Sequence, residues 1–264
     1  MSKVFLKDLS IKHICKNQCF IQNDQVIAEE RVAFYLNGTK LLSVMTIPYE
    51  QDAHLLGFLI AEGVISDLNE VEDLRISDDG LSVFLDADID EDALNQLFVE
   101  KTLTSGCCVG VSGNLDTHSS SILRKRYIDS SYIISLDFIE QQMREFQRPT
   151  PLFEASGCVH KAMLILPEIS LVSEDIGRHN AIDKVMGKAY LQKLDTANSV
   201  LFVSGRLSLE MVVKAVMHRV PIIISKAAAT FQGIQAAEEL GITLIGFARG
   251  ERYNIYTHSE RIQM

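Results

Sequence analysis

The sequence predicts an α/β protein in its second half, preceded by a smaller α+β part. Three observations predict it. Short apolar runs at 199–203, 221–224 and 242–247 are separated by stretches of helical periodicity at 208–217 and 230–240. Alternation of this kind implies a mostly parallel sheet covered by helices, with ligands near the loops at the strands' carboxyl ends. Ahead of it, Asn37-Gly38 divides two β-rich runs, Arg31 to Leu36 and Lys40 to Met45, and supplies the positive φ angles that a tight hairpin turn demands.

The elements follow in order. The stretch up to about Glu30 is mixed and weakly patterned. After the Asn37-Gly38 hairpin, Tyr49 to Glu62 reads as an amphipathic helix stopped by Gly63. Val71 to Ile76 and Leu81 to Leu85 form a second hairpin, and the acidic stretch Asp86 to Glu100 a solvated helix. Ser135 to Gln147 is helical, with Ser135 as cap and Pro149 and Pro151 marking its end. Strands at 169–172 and 253–256 and a helix at 179–191 complete the second half. The boundaries that result are an α+β part over 1–115, a linker or surface stretch over 116–134, and an α/β part over 135–264.

Composition narrows the function classes. The chain has 264 residues, 47% of them hydrophobic, so it can bury a sizeable core. A net charge of −10 disfavours a nucleic-acid binder, yet leaves room for a phosphorylated ligand in a local basic pocket. No apolar run reaches membrane-spanning length, and the start lacks a signal-peptide core, so a cytoplasmic protein with no membrane contact is expected. Five cysteines in a chain of this size make a poor disulfide framework and fit a reducing compartment.

The stretch Thr104 to Gly113 places two adjacent thiols, Cys107 and Cys108, among three glycines and small hydroxyl residues. It is too small and pliable for a core strand or an ordinary helix, and reads as a loop that carries sulfur to a surface. Backbone N–H groups freed by glycine also favour thiolate over thiol.

A second dense stretch, Glu174 to Gly187, packs six ionisable residues into fourteen positions. Arg178 and His179 fall at a strand-to-helix turn, where helix N-termini bind anions. Ser204, Gly205 and Arg206 follow a buried strand and open a helix whose cap is Ser208. Lys226 follows the next strand, and Phe247, Ala248, Arg249, Gly250, Glu251 and Arg252 follow the last long one. Successive strand-end loops thus offer cations to one oligophosphate pocket. Cys158 and His160 raise a zinc-deaminase reading, but Ala162 stands where that chemistry needs Glu, and a second cysteine pair is missing, so no metal is expected. A pairing of Cys107 with His160 or His179 is open.

These stretches together resemble the FdhD family, sulfur carriers needed for formate dehydrogenase activity. The likeness runs through Thr46-Ile47-Pro48, Leu56 to Leu59, the cysteine loop, Ser156 to His160, EDIGRHNAIDKVMG from Glu174, SGRLSLEM from Ser204 and GITLIGFARGERYNIYTH from Gly241. The resemblance implies a sulfurtransferase that takes persulfide sulfur from a cysteine desulfurase and passes it to the molybdenum or tungsten bis-pterin guanine dinucleotide cofactor. It implies a second half similar to cytidine deaminases without their zinc: a mixed sheet with helices on both faces. It also implies a homodimer, the persulfide on Cys107, and the cofactor at Phe247 to Arg252. Many members carry Cys-x-x-Cys in the loop; here Gly110 stands at the second position and the second thiol is the adjacent Cys108. Either Cys107 acts alone or Cys108 is a displaced helper. The rival is a chaperone that binds the cofactor or apo-dehydrogenase and moves no sulfur.

Overall fold

The structure is a computed structural model and describes residues 5–66, 68–99 and 126–264. The weakly patterned start of the sequence carries regular structure from Leu6 to Ile27. It forms a hairpin of β1 (Leu6–Cys15) and β2 (Gln18–Ile27), paired antiparallel over their full length. Its two-residue turn places Lys16 at φ 48° and Asn17 at φ 63°, the twist a tight hairpin needs, achieved without glycine. Most positions on both faces are exposed, so no in–out alternation is written into the sequence.

The Asn37-Gly38 hairpin forms as expected between β3 (Glu30–Leu36) and β4 (Thr39–Thr46), with φ of 47° and 73° at the turn. The second hairpin is β5 (Val71–Ile76) and β6 (Ser82–Ala87), and β6 pairs parallel to β3, giving the order β4-β3-β6-β5. Helix α1 (Gln51–Ala61) packs on this sheet, and α2 (Glu91–Val99) follows β6. The expected amphipathic pattern of α1 does not hold: every residue except Asp52 is buried. The physical reason is that its far side meets a helix from the second half of the chain rather than water.

The large sheet joins β8 (His160–Ile165), β9 (Ser170–Asp175), β10 (Val200–Val203), β11 (Ile222–Ser225), β12 (Thr243–Arg249) and β13 (Arg252–Thr257) in the order β13-β12-β11-β10-β8-β9. It is mixed, not mostly parallel. Only β10–β11 and β11–β12 are parallel, and these are the pairs joined through α6 (Leu209–Met217) and α7 (Phe231–Leu240). The β8–β9 and β12–β13 connections carry no helix, and short connections make only antiparallel pairs.

Helices cover both faces. On one, α5 (Arg178–Leu191), α6 and α7 bury Ile182, Val185 and Met211 against Leu164, Leu201 and Leu244. On the other, α3 (Leu136–Gln147) buries Ile139, Met143 and Phe146 against Met163, Phe202 and Ile224. Ser135 caps α3 by accepting from the Phe138 N–H, as its sequence predicts. The prolines after α3 do more than end it: Thr150 caps a short helix, α4 (Pro151–Ser156), with proline in its first turn, where the missing N–H costs nothing. Two-residue strands β7 (Ile134–Ser135) and β14 (Ile262–Gln263) pair in parallel, and Arg261 ties the approach to them by donating to the carbonyls of Ile128, Ser130 and Gly241.

Helices α1 and α5 cross at glycines. A Cβ on Gly57 would lie 2.0 Å from the Asp183 carbonyl oxygen, and one on Gly187 1.8 Å from that of Ala53. Only hydrogen fits at either point, so the sheet of the first half is held close to the large sheet through this helix pair.

Candidate functional site

The strand-end residues singled out in the sequence lie at one end of the large sheet, where β10, β11 and β12 finish and β8 begins. A chain of contacts links them. Ser225 Oγ donates to the Gly205 carbonyl, and Arg249 Nε donates to the Lys226 carbonyl at 3.0 Å. The Phe247 N–H donates to the Ala227 carbonyl. Gly205 lies under Arg178: an added Cβ would sit 2.7 Å from Arg178 Cδ, so only glycine lets that side chain cross the loop. Arg178 Nε is buried with no hydrogen-bond partner. Ser204 Oγ stands 3.0 Å from both His160 Nδ1 and the Lys161 N–H. Burial, then the charges of Arg178, His179 and Lys226, hold the His160 imidazole below its ordinary range, so it is neutral in a cationic setting. Arg206, Lys226, Arg249, Gly250, Glu251 and Arg252 are exposed, and Ala248 is buried beneath them.

The β12–β13 hairpin carries an outlier. Phe247 has φ 54°, rare for a bulky residue, and its ring remains 37% exposed. Strain of this kind persists where surrounding structure imposes it, and it clusters at ligand sites. The register between β12 and β13 shifts between Gly246 and Arg249, and Gly250 turns at φ 57°.

The Glu174 to Gly187 stretch divides in two. Arg178 alone of its cations reaches the strand-end loops. Asp175, Asp183 and Lys184 turn inward instead. Lys184 pairs with Asp175 at 2.6 Å and donates to the Ile47 carbonyl, while Asp175 also accepts from the Thr46 hydroxyl and the Ile47 N–H. Asp183 pairs with Lys214 at 2.7 Å. His179 is 5% exposed and stands 2.6 Å from Glu210. Asp183 and Lys184 therefore sit in internal pairs with residues on other elements, α6 and β9, and not at the anion site that the stretch suggests. Ser208 begins α6, but its hydroxyl makes no cap bond and is buried without a partner.

Comparison with known proteins decides the family. Residues 27–263 match the FdhD/NarQ family. The chain is 55% identical over 262 residues to the sulfur carrier protein FdhD of Wolinella succinogenes, covering 98% of this chain and 90% of that protein. It is 33% identical over 241 residues to the protein of the same name from Bacillus subtilis, covering 91% of each.

The chain belongs to the FdhD/NarQ family.

A crystal structure from Desulfotalea psychrophila, described as a candidate formate dehydrogenase accessory protein, superposes with a TM-score of 0.79 at 24% identity over 98% of this chain and 100% of that one. It shows that the α/β fold described above is shared. The expected sulfur-carrying loop of Cys107 and Cys108 lies outside the described residues. Cys15, Cys19 and Cys158 are free and exposed. Among the described residues no helix is long and apolar enough to cross a membrane, and no group of His, Cys, Asp or Glu is arranged to hold a metal ion.

One part of this candidate site was not singled out in the sequence. A cavity of about 90 Å³ opens beside the strand ends, lined by Phe146, Thr150, Phe153, Lys161, Glu174 and Lys226 among others. Glu174 opens the dense stretch singled out in the sequence, but nothing there marks Lys161 as its neighbour. Their alternate placement on β8 and β9, with Ala162 and Ser173 pointing the other way, was the available signal.

Proposed function

We propose that this protein is a cytoplasmic sulfur carrier that serves formate dehydrogenase and moves sulfur through a cysteine persulfide. A thiolate at Cys107 attacks the outer sulfur of a cysteine desulfurase persulfide; the desulfurase leaves as thiolate, and Cys107 keeps the sulfane sulfur. The acceptor is the molybdenum or tungsten bis-pterin guanine dinucleotide, bound as substrate. Arg178, Lys226, Arg249 and Arg252 hold its phosphates, with Ser204, Gly205 and Arg206 on the adjoining loop and His160 as a neutral donor beside them. His179 supports this wall from behind through Glu210. A homodimer would set two such sites in one assembly.

The observation that carries the acceptor half is the contact of Arg178 with Gly205 together with the bond from Arg249 to Lys226, which draws separate strand-end loops around one place. The strained, exposed Phe247 at its edge supports the same reading. The names of the relatives support the sulfur-carrier role.

The test is to incubate the protein with desulfurase and cysteine and weigh it intact. Wild type is expected to gain about one sulfur mass per chain, and Cys107→Ser none. Undiminished loading of a Cys107→Ser, Cys108→Ser double variant would overturn the carrier role. Full support of formate dehydrogenase activity by that variant in cells would favour the chaperone reading instead.

A further inference from the structure

We propose that Thr46, at the end of β4, is a positioning residue for Arg178: through Asp175 it fixes the start of α5 and so aims the guanidinium across Gly205. The proposal rests on the acceptor pocket proposed above and names a residue outside that pocket, in the first half of the chain, that sets its geometry.

Arg178 is placed by its root and not by its head. It is the first residue of α5. Its arm lies on Gly205, where an added Cβ would stand 2.7 Å from Cδ, 3.2 Å from Cβ and 3.5 Å from Cγ. Its Nε is buried with no hydrogen-bond partner. A side chain laid along a loop, with no bond at Nε to correct its aim, points where the backbone at its root sends it.

Asp175 holds that root. Gly177, the N-cap of α5, has no side chain to cap with. Asp175 Oδ1 accepts instead from the Gly177 N–H at 2.9 Å and from the Asn180 amide at 2.8 Å. A Cβ on Gly177 would sit 2.9 Å from that amide nitrogen, so glycine lets Asn180 fold back over the turn. Asp175 Oδ2 accepts from Lys184 at 2.6 Å, from the Thr46 hydroxyl at 2.5 Å and from the Ile47 N–H at 3.1 Å. The Asn180 amide also donates to the Met45 carbonyl, and Lys184 to the Ile47 carbonyl. Met45 to Ile47 thus run along the start of α5, and Thr46 is the residue of the three whose side chain takes part. Thr46 and Asp175 are both fully buried. A carboxylate that loses a donor in so dry a setting recovers one by moving, and movement of Oδ1 carries Gly177 and Arg178 with it.

The experiment is calorimetric titration of the full chain with GDP, the diphosphate end of the proposed acceptor, arranged as a double-mutant cycle. Thr46→Val keeps nearly the same shape and removes the hydroxyl. It is expected to weaken GDP binding about fivefold to tenfold, part of what a hydrogen bond to a charged group is worth. Thr46→Ser restores the hydroxyl and is expected to bind within about twofold of wild type. Arg178→Ala is expected to lose at least about tenfold, and Thr46→Val in that background nothing further. The stoichiometry read in the same titrations separates loss of folded protein from loss of affinity. If the valine variant does not fold, Thr46→Ala removes the hydroxyl without filling its space and takes its place in the cycle, with the same expectations. A Thr46 that serves stability alone weakens binding by the same factor with or without Arg178, and that result overturns the proposal. So does a valine variant that binds like wild type, or a serine variant that binds no better than the valine one. Wild type that fails to bind GDP, or Arg178→Ala that binds as wild type does, removes the acceptor pocket and this inference together. A pocket that depends on Arg178 and ignores Thr46 sinks this inference alone.

Discussion

Asp175 and Lys184 form an ion pair 2.6 Å long in which neither side chain is exposed to solvent. The carboxylate also receives the Thr46 hydroxyl and the Ile47 N–H through one oxygen, and the Gly177 N–H and Asn180 amide through the other. The pair therefore fastens the end of β4 to the turn between β9 and α5. Removing one partner leaves an uncompensated buried charge. Lys184→Met is expected to destabilise by about 3–5 kcal/mol in denaturant unfolding. The exposed Arg75–Asp73 pair is the control, since Arg75→Ala should move stability by no more than about 0.5 kcal/mol.

The glycine crossing of α1 and α5 gives a steric prediction. At Gly187 an added methyl meets the backbone of Ala53, which cannot rotate away. Gly187→Ala is expected to cost about 2–4 kcal/mol by overpacking, read as a lower denaturant midpoint. Gly38→Ala has open space around it and suffers only the φ of 73°, worth about 1–2 kcal/mol.

His54 gives a pH dependence with a definite sign. It is 1% exposed, and burial, then Lys184, pushes its pKa from the ordinary 6.5 down to about 3. The folded state thus refuses a proton that the unfolded chain accepts. Its contribution is whole above pH 6.5 and is lost as the pH falls toward 3, at up to about 1.4 kcal/mol per pH unit. His54→Gln is expected to flatten the stability profile between those limits, measured by unfolding at a series of pH values.

Phe247 should separate stability from binding. Its φ of 54° costs a non-glycine residue about 1 kcal/mol or more. Phe247→Gly is expected to hold or slightly raise the melting temperature while weakening nucleotide binding several-fold in calorimetry. A variant that melts earlier and binds as well as wild type would remove this hairpin from the site.

The strand-end loops and their cations were legible before any coordinates, because strand–helix alternation is a local signal. The Lys161–Glu174 cavity was not. Lys161 alone looks like solvated charge, and only strand pairing puts it on one face with Glu174 beside Phe153. The β1–β2 hairpin escaped for the opposite reason: its exposed faces leave no pattern, and its turn uses Lys16 and Asn17 rather than glycine.

The sequence by itself determined the Asn37-Gly38 hairpin, the capped helix at Ser135, the helix-linked parallel strands and the loops that follow them. Each depends on periodicity or turn chemistry within a few residues. Tertiary structure alone decided which charges are internal. Thr46 and Asp175 are 129 residues apart, and the partners of Asp183 and Lys184 lie on other elements. A buried charge is stabilised by whichever groups the fold brings to it, and that arrangement has no counterpart in local spacing.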